Sequence, residues 1–463
     1  MRPWVSILTC ALGAALFAAP TLAPCAMGSS ALKPVLEAIK GEKALDTDHA
    51  AKDPRQQFIV YAKDGKRAQQ ALEVAVRNRH KAQQFFGTSV IWREPAVILL
   101  YPSKNAYHRS WGLYGTGGVQ IQTRFRGKGV KIKLVVTYED KHVLTRTLPH
   151  ELMHLLITDM SNRRYFDGKR GDMVPTPVWI QEGLAEYLTA DAERRADFEK
   201  FFYWKLQTKE QISLPRLLEK MRYDRRAWLH YAQSYSFIAF IAATVPNGRL
   251  RLRNYITSYD DPSLGSDPKR IFDMTFQGVA PSIEQLEERW HAWVRARYVR
   301  HFPPTMLRTK PADGADDAAT DGRIWVQFDK PVDPKTLSAE TMALRADTSK
   351  ELGADEDNLL RGASFKYNAT RTVLLVTVPG GFRPDRCYTL ALSDHVKDAH
   401  EHALTVNRFE EMERGDWWKS KKPELDSGRE PSKEKVEEAP PKLVCSISFR
   451  TGAEETDSGR SHQ

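Results

Sequence analysis

The chain has 463 residues, 41% of them hydrophobic, with 69 Lys and Arg against 59 Asp and Glu and a formal charge of +10. That length exceeds what one compact core usually organises, so two or three domains are expected. The positive residues are spread along the chain without a recognisable nucleic-acid module, which argues against nucleic acid as a partner and suits an anionic cell envelope.

Arg2 precedes an apolar run from Trp4 to Ala19, and small and chain-breaking residues follow from Pro20 to Gly28. This is the layout of a secretory signal peptide over residues 1–28, too short to span a bilayer comfortably. No later segment has the apolar length of a membrane helix, so the mature chain is expected to be exported, periplasmic or at the cell surface, without a transmembrane helix. Cleavage after Gly28 is one reading of the leader. The other is acylation of Cys25 in Leu22-Ala-Pro-Cys25, although proline before the cysteine is atypical.

Residues 29–54 read as a polar linker with one Ala/Leu-rich helical stretch. From Gln57 to Tyr61 a strand is predicted, then a helix from Ala68 to Phe86 that Gly87 stops. Pro95 to Tyr101 suits a buried strand, and two further strands, Gly118 to Phe125 and Val130 to Tyr138, flank a turn at Arg126 to Gly129. A small sheet therefore precedes a helical region running from 141 to about 302, where apolar residues recur three and four apart. After Phe302-Pro-Pro304, short β-type runs at 324–328, 372–378, 388–392 and 445–449 indicate an all-β module over 303–452. Residues 408–442, rich in Lys, Glu, Pro and Ser, read as a flexible insertion in it, and 453–463 as a disordered tail. Cys10 leaves with the leader. Cys387 and Cys445 remain in the β module, where an oxidising compartment favours a bridge over two reduced thiols.

The chemistry is concentrated in His150-Glu-Leu-Met-His154. Positions i and i+4 share a helix face, so both imidazoles can reach one cation while Glu151 approaches a metal-activated water. Thr147 is positioned to cap this helix, with Pro149 in its first turn. The pattern alone is only suggestive, and Pro177-Val-Trp-Ile-Gln-Glu-Gly-Leu-Ala-Glu-Tyr187 supplies what it lacks. A catalytic zinc takes three protein ligands, commonly two histidines and a carboxylate. Glu182 is the candidate for the third, and Gly183 beside it would permit close packing against the first helix. Glu186, one turn on, reads either as a carboxylate that orients a ligating histidine or as a surface charge.

Together the two segments resemble the peptidase MA-like, gluzincin group of zinc peptidases, in which a HExxH helix is followed by one bearing W-x-x-E-G-x-A-E-Y. Trp179, Glu182, Gly183, Ala185, Glu186 and Tyr187 stand at the matching offsets, and the likeness extends from about Gln57 to Tyr298. Residues 155–181 form a longer separation than in the thermolysin or aminopeptidase branches. The resemblance implies an α+β fold, a zincin-like domain over 55–302 with a small sheet followed by a helical subdomain. It implies Zn2+ held by His150, His154 and Glu182, and hydrolysis of protein or peptide substrates by a zinc-activated water with Glu151 as general base. Gluzincin relatives stabilise the oxyanion with a downstream tyrosine or histidine, for which Tyr231, Tyr235 and His230 are the candidates, Tyr231 first.

Residues 306–452 are similar to bacterial Ig-like domains, through Lys310-Pro-Ala-Asp-Gly314, Ile324 to Asp333, Tyr388 to Leu392 and Ser448 to Thr451. Such a β-sandwich would serve as a spacer or as a platform for cell-envelope components. The whole chain thus reads as an exported zinc metallopeptidase. The alternative is a non-catalytic envelope-binding protein on the same scaffold, against which the intact Glu151 argues. No paired carboxylates support glycoside hydrolysis.

Overall fold

The computed structural model describes residues 44–46, 48–54, 57–87, 96–111, 118–124, 131–167, 169–222, 227–346, 358–405 and 443–452. The leader at 1–28 with Cys25, the first part of the 29–54 linker, the insertion at 408–442 and the tail at 453–463 lie outside the described residues. The chain divides into two compact units, Met1–Val294 and Arg295–Gln463, and as a whole it is an α+β protein, with its α-helices before residue 302.

The first unit opens on a five-stranded sheet in the order β1-β2-β3-β5-β4. Its strands are β1 (Ala51–Lys52), β2 (Phe58–Tyr61), β3 (Ala96–Tyr101), β4 (Gly118–Arg124) and β5 (Lys131–Tyr138). β2, β3 and β5 run parallel, and β4 pairs antiparallel on the outer side of β5. Every residue of β3 is buried, as expected of a central strand covered on both faces. Alternation sends Val97, Leu99 and Tyr101 to one face, where Ala106 and Tyr107 of a short helix α2 (Lys104–Trp111) join their cluster.

Helix α1 (Gly65–Phe86) packs on β2. Asp64 caps it by accepting from the Arg67 amide at 2.7 Å, and Gly87 ends it in the left-handed region at φ 61°.

The helical region carries α3 (Leu148–Ser161), α4 (Arg163–Phe166), α5 (Val178–Thr189), α6 (Ala192–Gln207), α7 (Leu214–Glu219), α8 (Ala227–Thr244), α9 (Gly248–Ser258), α10 (Pro268–Thr275) and α11 (Ile283–His301). α3 lies against β4 and β5 on one side and α5 on another. The buried pair Lys133 of β5 and Asp159 of α3 ties helix to sheet.

The second unit is a sandwich of two four-stranded sheets, β10-β11-β8-β6 and β7-β13-β12-β9. The strands are β6 (Met306–Lys310), β7 (Ala315–Ala318), β8 (Arg323–Phe328), β9 (Met342–Ala346), β10 (Ser364–Tyr367), β11 (Val373–Thr377), β12 (Cys387–Ser393) and β13 (Leu443–Thr451). Inward residues of both sheets, among them Ile324, Val326, Leu374, Val376, Leu390 and Phe449, form one core. Beneath it Lys330, 1% exposed, donates to the carbonyls of Val299 and Phe302 and to Asp398.

The expected bridge between Cys387 and Cys445 is not formed, and both thiols are free. β12 and β13 are antiparallel with Cys387 opposite Arg450 and Cys445 opposite Leu392. The two cysteines therefore sit five residues apart along the paired strands, roughly 17 Å at about 3.4 Å per residue. A disulfide tolerates a Cα separation of about 7 Å at most.

Candidate metal centre

Two helices build the site, α3 with His150, Glu151 and His154 and α5 with Glu182 and Glu186. Thr147 does not cap α3. It is itself helical, at φ −66° and ψ −54°, and its side chain makes no capping bond. Residues Val143–Thr147 form a π-type turn that runs directly into α3, and the carbonyl of His142 accepts from the amides of Arg146 and Thr147. With the chain entering already coiled, the cap position has moved upstream. Pro149 costs no bond in the first turn, and its carbonyl accepts from Asn78 of α1 at 2.7 Å.

α5 is anchored by Trp179, fully buried with its ring 5.3 Å from that of Phe237 and 5.2 Å from that of Tyr255. Gly183 faces α8, not α3 as the sequence suggested. A Cβ added there would stand 2.7 Å from both the Ser234 carbonyl oxygen and Ile238 Cγ1. Consecutive residues of a helix point about 100° apart, so the residue after Glu182 meets a different neighbour. The small residue lets α5 press onto α8 while Glu182 reaches α3.

There the side chains converge. His150 Nε2 and His154 Nε2 are 2.9 Å apart, Glu182 Oε2 is 3.0 Å from His150 Nε2, and Glu182 Oε1 is 3.4 Å from His154 Nε2. Among the described residues these three form the one group of three or more His, Cys, Asp and Glu side chains able to hold a metal ion. The imidazole side chains keep 14% and 12% of their surface exposed, and Glu182 keeps 7%.

Behind the donors a second layer sets the rings. Gln181 Oε1 accepts from His154 Nδ1 at 2.7 Å. Glu186 is buried and lies 3.5 Å from His150 Nδ1, so it is no surface carboxylate. Arg194 of α6 donates to both its oxygens, through Nε at 2.7 Å and through Nη2. The guanidinium itself packs over Phe198 and Trp228, at 4.7 and 5.1 Å from their ring centroids. Gln181 and Arg194 were not singled out from sequence. For Gln181 the signal was present, a polar residue in the otherwise apolar run Trp179-Ile-Gln-Glu-Gly-Leu184. For Arg194 there was none, because its partner lies on the preceding helix.

The charges shape the titration of the site. Burial pushes the Glu151 carboxyl up, against the pull of His154 and His150. Burial would do the same to Glu182, but the two histidines outweigh it and hold that carboxyl well below the usual range. His154 is the mirror case. Burial opposes its charge, yet Glu182 raises it to about 9. Glu186 is held low, burial being outweighed by Arg194.

Of the oxyanion candidates, Tyr231 stands beside the site with its ring 6.2 Å from that of His150. Tyr235 is turned elsewhere, its hydroxyl donating to Glu199 at 3.3 Å and its ring against Phe198 and Tyr187. His230 is wholly buried in α8.

Residues 301–410 match the family model described as a bacterial Ig-like domain. That segment is a bacterial Ig-like domain. The residues before 301 fall outside the match, and no curated protein matches the chain. Similar solved structures include an L,D-transpeptidase from Mycobacterium smegmatis, at 16% identity over 23% of this chain and 40% of that one, with a TM-score of 0.15. CopC from Methylosinus trichosporium OB3b is also 16% identical, over 22% of this chain and 93% of its own, with a TM-score of 0.16. The S-layer protein rSbsC(31-844) is 10% identical over 82% of this chain and 46% of its own, with a TM-score of 0.21. This chain thus spans less than half of the transpeptidase and of the S-layer protein, and likenesses at these TM-scores carry no argument. Among the described residues no helix is long and apolar enough to cross a membrane.

Proposed function

We propose that this chain is an exported zinc-dependent metallopeptidase with a zincin-like N-terminal unit, acting on protein or peptide substrates. The observation behind the reading is the convergence of His150, His154 and Glu182 around one point, with Glu151 between the two histidines on the same helix. Two imidazoles and a carboxylate are a donor set suited to a catalytic zinc. The two imidazole nitrogens are 2.9 Å apart and each faces a different oxygen of Glu182, at 3.0 and 3.4 Å, close to the donor spacing of about 3.3 Å in a tetrahedron with metal–ligand distances near 2.0–2.1 Å. The chemistry zinc supplies at such a site is Lewis acidity toward a water and a carbonyl.

The remaining tasks fall to the chain's own side chains. Glu151, its carboxyl raised by burial, takes the proton of the attacking water and returns it to the leaving amine. Tyr231, beside His150, donates to the oxygen on which charge develops. Glu186 and Gln181 hold the two imidazole rings in register. The Ig-like domain serves as a platform toward cell-envelope components. The test is zinc content measured alongside cleavage of an unfolded protein substrate. One zinc per chain is expected, with cleavage lost on chelation and in Glu151→Gln. Protein purified without chelator that lacks stoichiometric zinc, or a Glu151→Gln variant that cleaves at the parental rate, overturns the reading.

A further inference from the structure

The outer face of the sheet β10-β11-β8-β6 carries an exposed aromatic among cations. Alternation along β8 sends Ile324, Val326 and Phe328 into the core and turns Arg323 and Trp325 outward. Trp325 is 43% exposed although it lies on an interior strand of its sheet. Strand register places Lys366, Leu375, Trp325 and Lys310 in one row across the four strands. At strand spacings near 4.8 Å that row is roughly 14 Å long, with a cation at each end. Arg323 and Arg308 add charge on either side of it, and both are exposed, as are Lys310 and Lys366. None of the outward positions on these strands is acidic. Asp321, 3.5 Å from Arg323, lies at the margin.

We infer that this face binds an acidic polysaccharide. The electron-rich face of an indole packs on the C–H face of a sugar ring, and lysines at both ends of the row meet carboxylates or other anionic groups on neighbouring sugars. A neutral glycan has no use for the four cations. A protein partner would be met by a broader apolar centre than one tryptophan with half-buried Leu375 and Val373. Insertion into a lipid surface relies on several apolar side chains. Single-stranded nucleic acid is tracked by successive aromatic platforms, where this face has one. The inference is independent of the metal centre, because its readout is binding and not hydrolysis.

The experiment uses the full chain with four probes: alginate as the acidic polysaccharide, dextran as the neutral one, phosphatidylglycerol vesicles, and an oligodeoxythymidylate. Affinity is measured at low and high salt for the parent, Trp325→Ala, Trp325→Phe and the Lys310→Gln/Lys366→Gln double variant. Alginate binding is expected to weaken about tenfold in Trp325→Ala and to be largely kept in Trp325→Phe. The lysine variant should lose about fivefold at low salt and show a shallower salt dependence. Unchanged circular dichroism and melting of the lysine variant keep the test valid should Trp325→Ala unfold. Absence of alginate binding, equal binding of dextran, indifference of alginate binding to the tryptophan and lysine changes, or tighter Trp325-dependent binding of vesicles or oligonucleotide overturns the inference.

Discussion

Gln181 accepts a hydrogen bond from the Nδ1 of His154 at 2.7 Å, so the residue beside one putting-forward carboxylate on α5 sets the ring of a histidine on α3. His154 Nε2 is thereby aimed at His150 and Glu182. The two imidazoles are held by unlike partners, a neutral amide for His154 and the Glu186–Arg194 ion pair for His150.

Gln181→Leu removes that acceptor with little change of volume. We expect zinc affinity to fall about tenfold or more, in the range found for partners of metal-binding histidines. Competition against a chromogenic chelator measures it, and unaltered affinity would mean that the amide does not position His154.

Replacing the donors separates metal binding from proton transfer. His150→Ala, His154→Ala and Glu182→Ala each leave two protein ligands and should lose tightly held zinc. Glu151→Gln should retain it while turnover drops by about two to four orders of magnitude. Parental zinc affinity in Glu182→Ala would assign the third ligand elsewhere.

Gly183→Ala tests the approach of α5 to α8. The new methyl would stand 2.7 Å from a backbone oxygen of α8, so the helices must part. A loss of about 1–3 kcal/mol is expected from such overpacking, read as a lower melting temperature together with weaker zinc binding because Glu182 rides on the same helix.

Acid should weaken the second unit in a defined window. Burial opposes the charge of Asp398, but hydrogen bonds from Lys330 and His402 lower its pKa from 3.8 to about 2. A depressed carboxyl contributes stability that is present above its unfolded value and lost as pH falls through the folded one. The loss should therefore develop between about pH 4 and pH 2 and amount to roughly 2 kcal/mol. Urea unfolding of the chain across that range, compared with Asp398→Asn, checks it. An identical pH slope in the variant would remove Asp398 as the source.

Both cysteines should be recovered as free thiols in a non-reduced digest. In the native chain at pH 8, Cys445 should alkylate slowly, since burial pushes its thiol up to about 11. Recovery of a Cys387–Cys445 disulfide peptide would show a strand register other than the one described.

Local patterns revealed much of this architecture, and their limits are equally physical. The helix period alone puts His150 and His154 on one face, and the apolar runs at 96–101 and 324–328 are strands for the reason the sequence suggests, alternation or continuous burial. What local pattern lacks is the identity of the partner. Gly183 reads as a close-packing residue, but only the assembled helices show that α8 is what it touches. Cys387 and Cys445 each sit on a β-type run, yet whether they can bridge depends on how β12 and β13 are offset. The capping role read for Thr147 failed because the π-type turn before it has no hydrophobic period of its own. Tyr231 and Tyr235 lie one helical turn apart, and packing alone directs one toward His150 and the other toward Glu199.

Asn162 ends α3 and also holds the far side of the excursion that leads to α5. Its Oδ1 accepts from the Val174 amide at 2.7 Å, and its Nδ2 stands 3.4 Å from the Val174 carbonyl. One side chain thus closes the base of residues 163–173, a stretch that is also tied down from within, with Tyr165 buried, the Phe166 ring 4.7 Å from Lys133 Nζ and the Arg164 amide donating to Asp260 at 2.9 Å. A peptide tag is therefore expected to be tolerated at the exposed Gly171 and Asp172, and not in α4.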